Sequence, residues 1–276
     1  VGGLLLLLAI GLGSASAAHA QSGWYLMTDI ESGEGTSVRE VLISGGKIKS
    51  LPQADDDLWT LIDLNSGEIT FVDPAQGVFA RATPADHCAA LEESGDELRT
   101  LVPYRFKDDE SLPAEARDTG SAEEASSRDI RIREIATNSE FGGFESVRYD
   151  VRLGRDKVEE VYLTTDARLL REVGGLEGVA AYVDLIHELN QCSRAVLGEQ
   201  AGPLPPAGRT RLEEMPEYLE TLEKGWPVKT VWLDEPSRRD ETVTIASEWD
   251  VEPADLEPPA GYRAVSITQL LLSSRR

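Results

Sequence analysis

From Trp24 to Ala82 apolar and polar residues alternate in short runs, with turn-forming residues between them. Trp24–Ile30, Val38–Ser44, Lys47–Leu51, Leu58–Asp63, Glu68–Val72 and Gly77–Ala82 read as strands on this pattern. Gly45-Gly46 supplies a hairpin turn, since glycine reaches positive φ without strain, and Asn65-Ser66-Gly67 supplies another. Strand after strand with brief turns predicts an antiparallel meander. The period then changes to a helical one. Thr83 or Asp86 can cap this helix, Pro84 suits its first turn, and its apolar stripe runs to Leu101 and Val102.

Residues 107–128, beginning "DDESLPAEARDTG" after Lys107, hold almost no large apolar side chains and read as an exposed acidic loop. Ile130–Ile135 resumes the alternation. In "GGFESVRYDVRLG", Val147, Tyr149, Val151 and Leu153 face one way and Arg148, Asp150 and Arg152 the other. Val158–Leu163 and Arg168–Glu172 continue the sheet, and Leu176 to about Val196 forms a second helix. After the proline- and glycine-rich residues 198–208, Leu212, Met215, Leu219 and Leu222 mark a shorter helix, with Pro216 in its first turn and Gly225 at its C-cap.

Trp226–Leu233, Glu241–Trp249 and Tyr262–Thr268 are the last strands. On the first, Trp226, Val228, Thr230 and Trp232 share a face, while Lys229 and Val231 point the other way. Too few helices separate the strands for a parallel sheet. The predicted fold is therefore α+β and mostly β: one strongly curved antiparallel sheet with two or three helices on its concave face.

Composition adds a compartment and removes some partners. The hydrophobic share is 41%, and 50 acidic residues against 27 basic ones leave a net charge of -23. So negative a surface repels nucleic-acid phosphates, and equally anionic headgroups. It favours a basic face on any protein partner. The first twenty residues are uncharged, and Leu4–Leu12 is an apolar run too short to span a bilayer. The small-residue stretch after it ends in Ala18-His19-Ala20, so residues 1–20 read as a signal peptide cleaved between Ala20 and Gln21. Residues 21–276 then form a single exported domain, periplasmic or secreted, with no transmembrane anchor after cleavage. Cys88 and Cys192 each lie on the apolar stripe of a predicted helix. In an exported chain an even pair reads as a disulfide, with two buried free thiols as the alternative.

Motifs for chemistry are not found. "HELNQ" opens like a zinc-protease helix, but Gln191 stands where the second metal ligand is required after His187. "DLNSGEITFVD" shares Asp63 and Asn65 with a calcium loop yet lacks its closing Glu, and a hairpin turn explains it better. "QADDD", residues 53–57, reads as an acidic turn. No nucleotide-binding glycine loop, nucleophile elbow, metal set or cofactor motif is present, and the chain is not expected to be an enzyme.

Four segments in order carry a resemblance: "LIDLNSGEITFVDPAQGVFARAT", "GGFESVRYDVRLGRDKVEEVYLTTD", "EYLETLEKGWPVKT" and "VEPADLEPPAGYRAVS". Together they resemble the bacterial domain-of-unknown-function family numbered 4412. Its implied fold is similar to the LolA-like and LppX-like lipoprotein carriers, half-open β-barrels with an apolar cavity. Members often carry a cysteine where this chain has Ser146. The resemblance supplies a fold and an analogy rather than a function; on that fold the first expectation is an exported, non-catalytic periplasmic protein that binds a lipid or a lipoprotein's acyl chain in its cavity. Candidate lining residues are Trp24, Trp59, Phe71, Tyr149, Tyr162, Trp226, Trp232 and Trp249. Ordinary core packing is the competing account of each. The alternative function is an extracytoplasmic structural or interaction protein with a filled core and no small ligand.

Overall fold

The structure, a computed structural model, describes residues 21–33, 35–51, 58–101, 130–197, 210–233 and 238–273. Ala20, the acidic turn at 53–57 and the acidic stretch at 107–128 lie outside these residues. Gln21 is the first residue of the first strand.

Twelve strands form one sheet in the order β12-β6-β5-β4-β3-β2-β1-β11-β10-β9-β8-β7. The first meander is β1 (Gln21–Ser32), β2 (Gly35–Ser44), β3 (Lys47–Leu51), β4 (Trp59–Asp63), β5 (Glu68–Asp73) and β6 (Val78–Ala82). The second is β7 (Ile130–Phe141), β8 (Phe144–Leu153), β9 (Asp156–Thr164) and β10 (Trp226–Trp232). β11 (Arg239–Val251) joins them by pairing with both β10 and β1. Among the described residues every pairing is antiparallel except that of the two-residue β12 (Arg263–Ala264), which runs parallel to β6. The predicted hairpin holds: Ser44 pairs with Lys47 across Gly45 and Gly46, whose φ are 57° and 78°.

Helix α1 (Pro84–Leu101) starts with a reciprocal cap. The Thr83 hydroxyl accepts from the Asp86 N–H, and the Asp86 carboxylate accepts from the Thr83 N–H and hydroxyl. α2 (Ala167–Val173) replaces the strand expected at Arg168–Glu172. Asp166 caps it by accepting from the Arg168 N–H at 2.9 Å. Gly174, at φ 100°, ends it by donating to the Leu170 and Arg171 carbonyls. α3 (Gly175–Leu197) follows, then the short α4 (Thr210–Glu213) and α5 (Pro216–Leu222). α5 is capped at Glu223 rather than Gly225. Gly225 instead lets the backbone approach β9, since a Cβ there would lie 2.5 Å from the Thr164 carbonyl oxygen.

The strand expected at Tyr262–Thr268 is a second correction. Only Arg263 and Ala264 pair, and α6 (Ile267–Ser273) begins immediately after. The Ser266 hydroxyl accepts from the Gln269 N–H, and the Gln269 side chain accepts from the Ser266 N–H. That reciprocal pair starts a helix despite the β-branched residues around it.

The main core lies where α2 and α3 cover one face of the first meander. Trp24, Ile43, Ile48, Ile62 and Ile69 meet Leu169, Val173, Val179, Leu185 and Leu189 there. On the other face, Leu42, Trp59, Leu61 and Val72 are closed over by Val251 and Leu256, the latter in the 3-10 turn Pro253–Leu256. α4 and α5 cover Val151, Leu153 and Val158 with Leu212 and Tyr218. Cys88 of α1 and Cys192 of α3 form a disulfide with Cα atoms 5.4 Å apart, as their helical positions predicted. Among the described residues no helix is long and apolar enough to cross a membrane.

Candidate functional site

The eight aromatic candidates begin with Trp226 and Trp232, which the alternation places on one face of β10. β10 pairs with β9 as Trp226 to Thr164 and Pro227 to Leu163, then resumes as Lys229 to Tyr162 and ends as Trp232 to Glu159. Val228 is therefore an additional residue, a bulge next to a proline that has no N–H to give to a ladder. Thr164 and Glu159 are an odd number of residues apart on β9, so their partners lie on opposite faces. Trp226 packs on Tyr182 of α3, with ring centroids 5.2 Å apart. Burial of Tyr182 holds its phenol above the usual range. Trp232 instead lies under the Arg239 guanidinium, 5.7 Å from its ring centroid. The shared face is overturned by one inserted residue.

Trp24 and Tyr162 lie in the same core cluster as Trp226, and Phe71 packs against its margin. The Trp24 ring meets Phe144 at 5.1 Å, and the Arg168 guanidinium lies 5.4 Å from it. Tyr162 meets Phe141 edge-on at 5.1 Å, and its hydroxyl donates to Glu160 Oε2 at 2.9 Å. The other three candidates are elsewhere. Trp59 pairs with Val72, so it faces away from Phe71, and Lys49 Nζ sits 4.4 Å from its ring centroid. Tyr149 belongs to a separate cluster with Val161 and Leu163. Trp249 pairs with Gly23 while Trp24 pairs with Glu248, so the two indoles lie on opposite faces, and Trp249 is 53% exposed. The eight therefore do not converge on one lining.

Two buried carboxylates escaped the sequence reading. Glu172 accepts from Ser22 Oγ at 3.0 Å and from the Gly45 N–H at 3.3 Å, while its carbonyl accepts from the Gly46 N–H at 2.7 Å. It joins α2 to β1 and to the β2–β3 turn. Glu159 is fully buried and accepts from the Tyr218 hydroxyl at 3.0 Å, joining β9 to α5. In a chain with 50 acidic residues neither stands out. The available signal was local: Asp166 before and Gly174-Gly175 after bracket a seven-residue helix that turns Glu172 inward. His87 is buried and stacks on Phe71, whereas His187 hydrogen-bonds Gln191 on its own helix. Among the described residues no group of three His, Cys, Asp or Glu is arranged to hold a metal.

Where α6 lies against β6 and β12, a groove of about 700 Å³ opens. Leu58, Val78, Val265 and Leu272 give it apolar walls, and Asp73, Gln76, Arg263 and Gln269 give it polar ones. None of the eight aromatic candidates lines it. Its volume is in the range of small-ligand sites.

No family model matches the chain, and neither does any curated protein. Among solved structures it aligns with one of PNGF-II at 8% identity and a TM-score of 0.41, over 92% of this chain and 33% of that one. It also aligns with a domain described as an outer membrane lipoprotein-sorting protein from Vibrio parahaemolyticus. That alignment has 11% identity and a TM-score of 0.16, covering 86% of this chain and 89% of that one. At these scores neither alignment bears on fold or function.

Proposed function

We propose that this is an exported, non-catalytic protein that works through its surface, with the space between sheet and helices filled by its own side chains. The observation that carries the reading is how the interior tryptophans are used. Trp226 is taken up by Tyr182 and Trp24 by Phe144, aromatic partners from the same chain. Export is supported by the leader sequence and by the Cys88–Cys192 disulfide, which suits an oxidising compartment. A half-open, LolA-like curvature is supported by one contact. A Cβ on Gly142, in the β7–β8 turn, would lie 2.7 Å from Val243 of β11, although β8, β9 and β10 separate β7 from β11 in the sheet. Native mass spectrometry after gentle extraction from a bacterial envelope tests the reading. Bare protein is expected, and a lipid mass that disappears in Trp226→Ala would return the interior to a cargo.

A second reading, carriage of a lipid or an acyl chain, has its own support in the groove between α6 and the β6–β12 edge. Each buried CH₂ would contribute about 0.8 kcal/mol there. This reading expects a lipid mass that Val265→Trp removes by filling the groove and that Trp226→Ala leaves in place. A lipid mass unaffected by Val265→Trp would sink it.

A further inference from the structure

Among the described residues, two neighbouring central strands leave an apolar stripe uncovered. In the β1–β11 pairing, Gly23 stands opposite Trp249, Tyr25 opposite Ser247 and Met27 opposite Ile245. These are alternate positions, so all six residues share one face. Gly23 gives Trp249 no cross-strand side chain, and the indole is 53% exposed with Tyr25 beside it, 6.0 Å between centroids. Ile245 is 46% exposed. Exposed large apolar side chains grouped in this way mark interaction surfaces.

Carboxylates dominate the charge along β1 and β2 on this face. Glu40 of β2 stands opposite Met27, and its carboxylate lies near the Tyr25 phenol. Asp29 and Glu31 continue along the same face of β1. The two lysines at its borders are already committed. Lys229 donates to Asp240 and Thr242, and Lys49 donates to the Asp255 carbonyl and lies over Trp59. Burial and the Glu40 carboxylate raise the Tyr25 phenol's pKa to about 12.

We propose that the face carrying Trp249, Tyr25, Ile245 and Met27 docks a cationic, amphipathic segment of a partner protein. Apolar side chains of the partner cover the stripe, a lysine or arginine lies over the indole, and others meet Glu40, Asp29 and Glu31. A second copy of this chain fits poorly, because it would set those three carboxylates against their own images at a net charge of -23 per chain. The proposal rests on the surface-interaction reading above and names its partner's chemistry.

The test uses a Lys–Leu amphipathic peptide as probe, the matching Glu–Leu peptide as control, and calorimetry as readout. The Lys–Leu peptide should bind the full chain, with affinity falling as salt rises. Trp249→Ala should weaken it about tenfold or more, Glu40→Gln should weaken it and flatten the salt dependence, and Glu145→Gln, on an exposed residue of β8, should leave it unchanged. Equal binding to Trp249→Ala, equal binding of the Glu–Leu peptide, or no binding at all would overturn the proposal. So would a dimer in sedimentation that Trp249→Ala dissolves, since the face would then serve self-association. The mass-spectrometric test reports separately: a cargo inside the fold leaves the peptide result standing, and bare protein that ignores the peptide removes this inference alone.

Discussion

The His87 imidazole lies nearly parallel to the Phe71 ring, 5.1 Å between centroids and 13° between planes. It joins α1 to β5 at the margin of the main core. Among the described residues its Nδ1 is buried without a hydrogen-bond partner, so the site accepts a neutral ring and resists a charged one. Burial lowers its pKa from 6.5 to about 4. Between these values the unfolded chain binds a proton that the folded chain refuses. Stability therefore falls as pH falls through that window, by roughly 3 kcal/mol in all at about 1.4 kcal/mol per pK unit. Other carboxylates titrate there too, so the measurement is a difference. Urea midpoints of wild type minus His87→Phe should be flat above pH 6.5 and slope downward toward pH 4. Parallel curves for the two proteins would contradict the assignment.

The Cys88–Cys192 bridge closes a loop of 104 residues between α1 and α3. In the chain-entropy account a loop near that length stabilises by about 4–5 kcal/mol. Replacing both cysteines with serine should lower the urea midpoint accordingly, and either single replacement should match the double. Thiol counting in denatured, unreduced protein should find none. Leu91, Leu98 and Val196 pack around the bridge, so loosening it should first increase hydrogen exchange in α1.

Glu172 replaces what would be a hydrophobic contact by a carboxylate that satisfies a hydroxyl and a turn N–H. Glu172→Ala leaves Ser22 and Gly45 without that acceptor and should cost about 2 kcal/mol, since each buried group left unsatisfied costs on the order of 1–3 kcal/mol. Glu172→Gln keeps an acceptor and should lose about half as much. Equilibrium unfolding of both variants distinguishes this from simple charge removal, which would affect the two equally.

How much of this was legible in the sequence depended on what sets each feature. The six strands of the first meander were readable because α2 and α3 bury one face, and period two follows from that. The helix at α2 was misread because Leu169, Leu170 and Val173 also fit a strand. Its identity lies in the Asp166 cap and the Gly174 stop, which are single-residue signals. α6 was misread for the same reason, with Ser266 and Gln269 outweighing Val265, Ile267 and Thr268. The candidate site was less legible than the fold. Alternation says which residues share a face only while the register is unbroken, and the insertion at Val228 reverses it between Trp226 and Trp232. Pro227 was the one hint. Trp249 was assigned inward because a tryptophan on a strand usually packs, yet its partner Gly23 and the absence of a covering element among the described residues leave it exposed.

The split between Trp226 and Trp232 gives a direct test of the bulge. Trp226 is 6% exposed and rests on Tyr182, so Trp226→Ala should cost about 3–5 kcal/mol, the usual range for a buried aromatic. A double-mutant cycle with Tyr182→Ala should return a coupling of about 0.5–1.5 kcal/mol. Trp232, on the opposite face under Arg239, should show coupling to Arg239→Ala and additivity with Tyr182→Ala within about 0.5 kcal/mol. Deleting Val228 should be milder than Trp226→Ala. It removes the inserted residue and leaves the two indoles five positions apart, on opposite faces by plain alternation as they already are, so its cost is the loss of the buried Val228 side chain. A Val228 deletion more damaging than Trp226→Ala, or Trp232 coupled to Tyr182 as strongly as Trp226 is, would show that the two rings share a face after all.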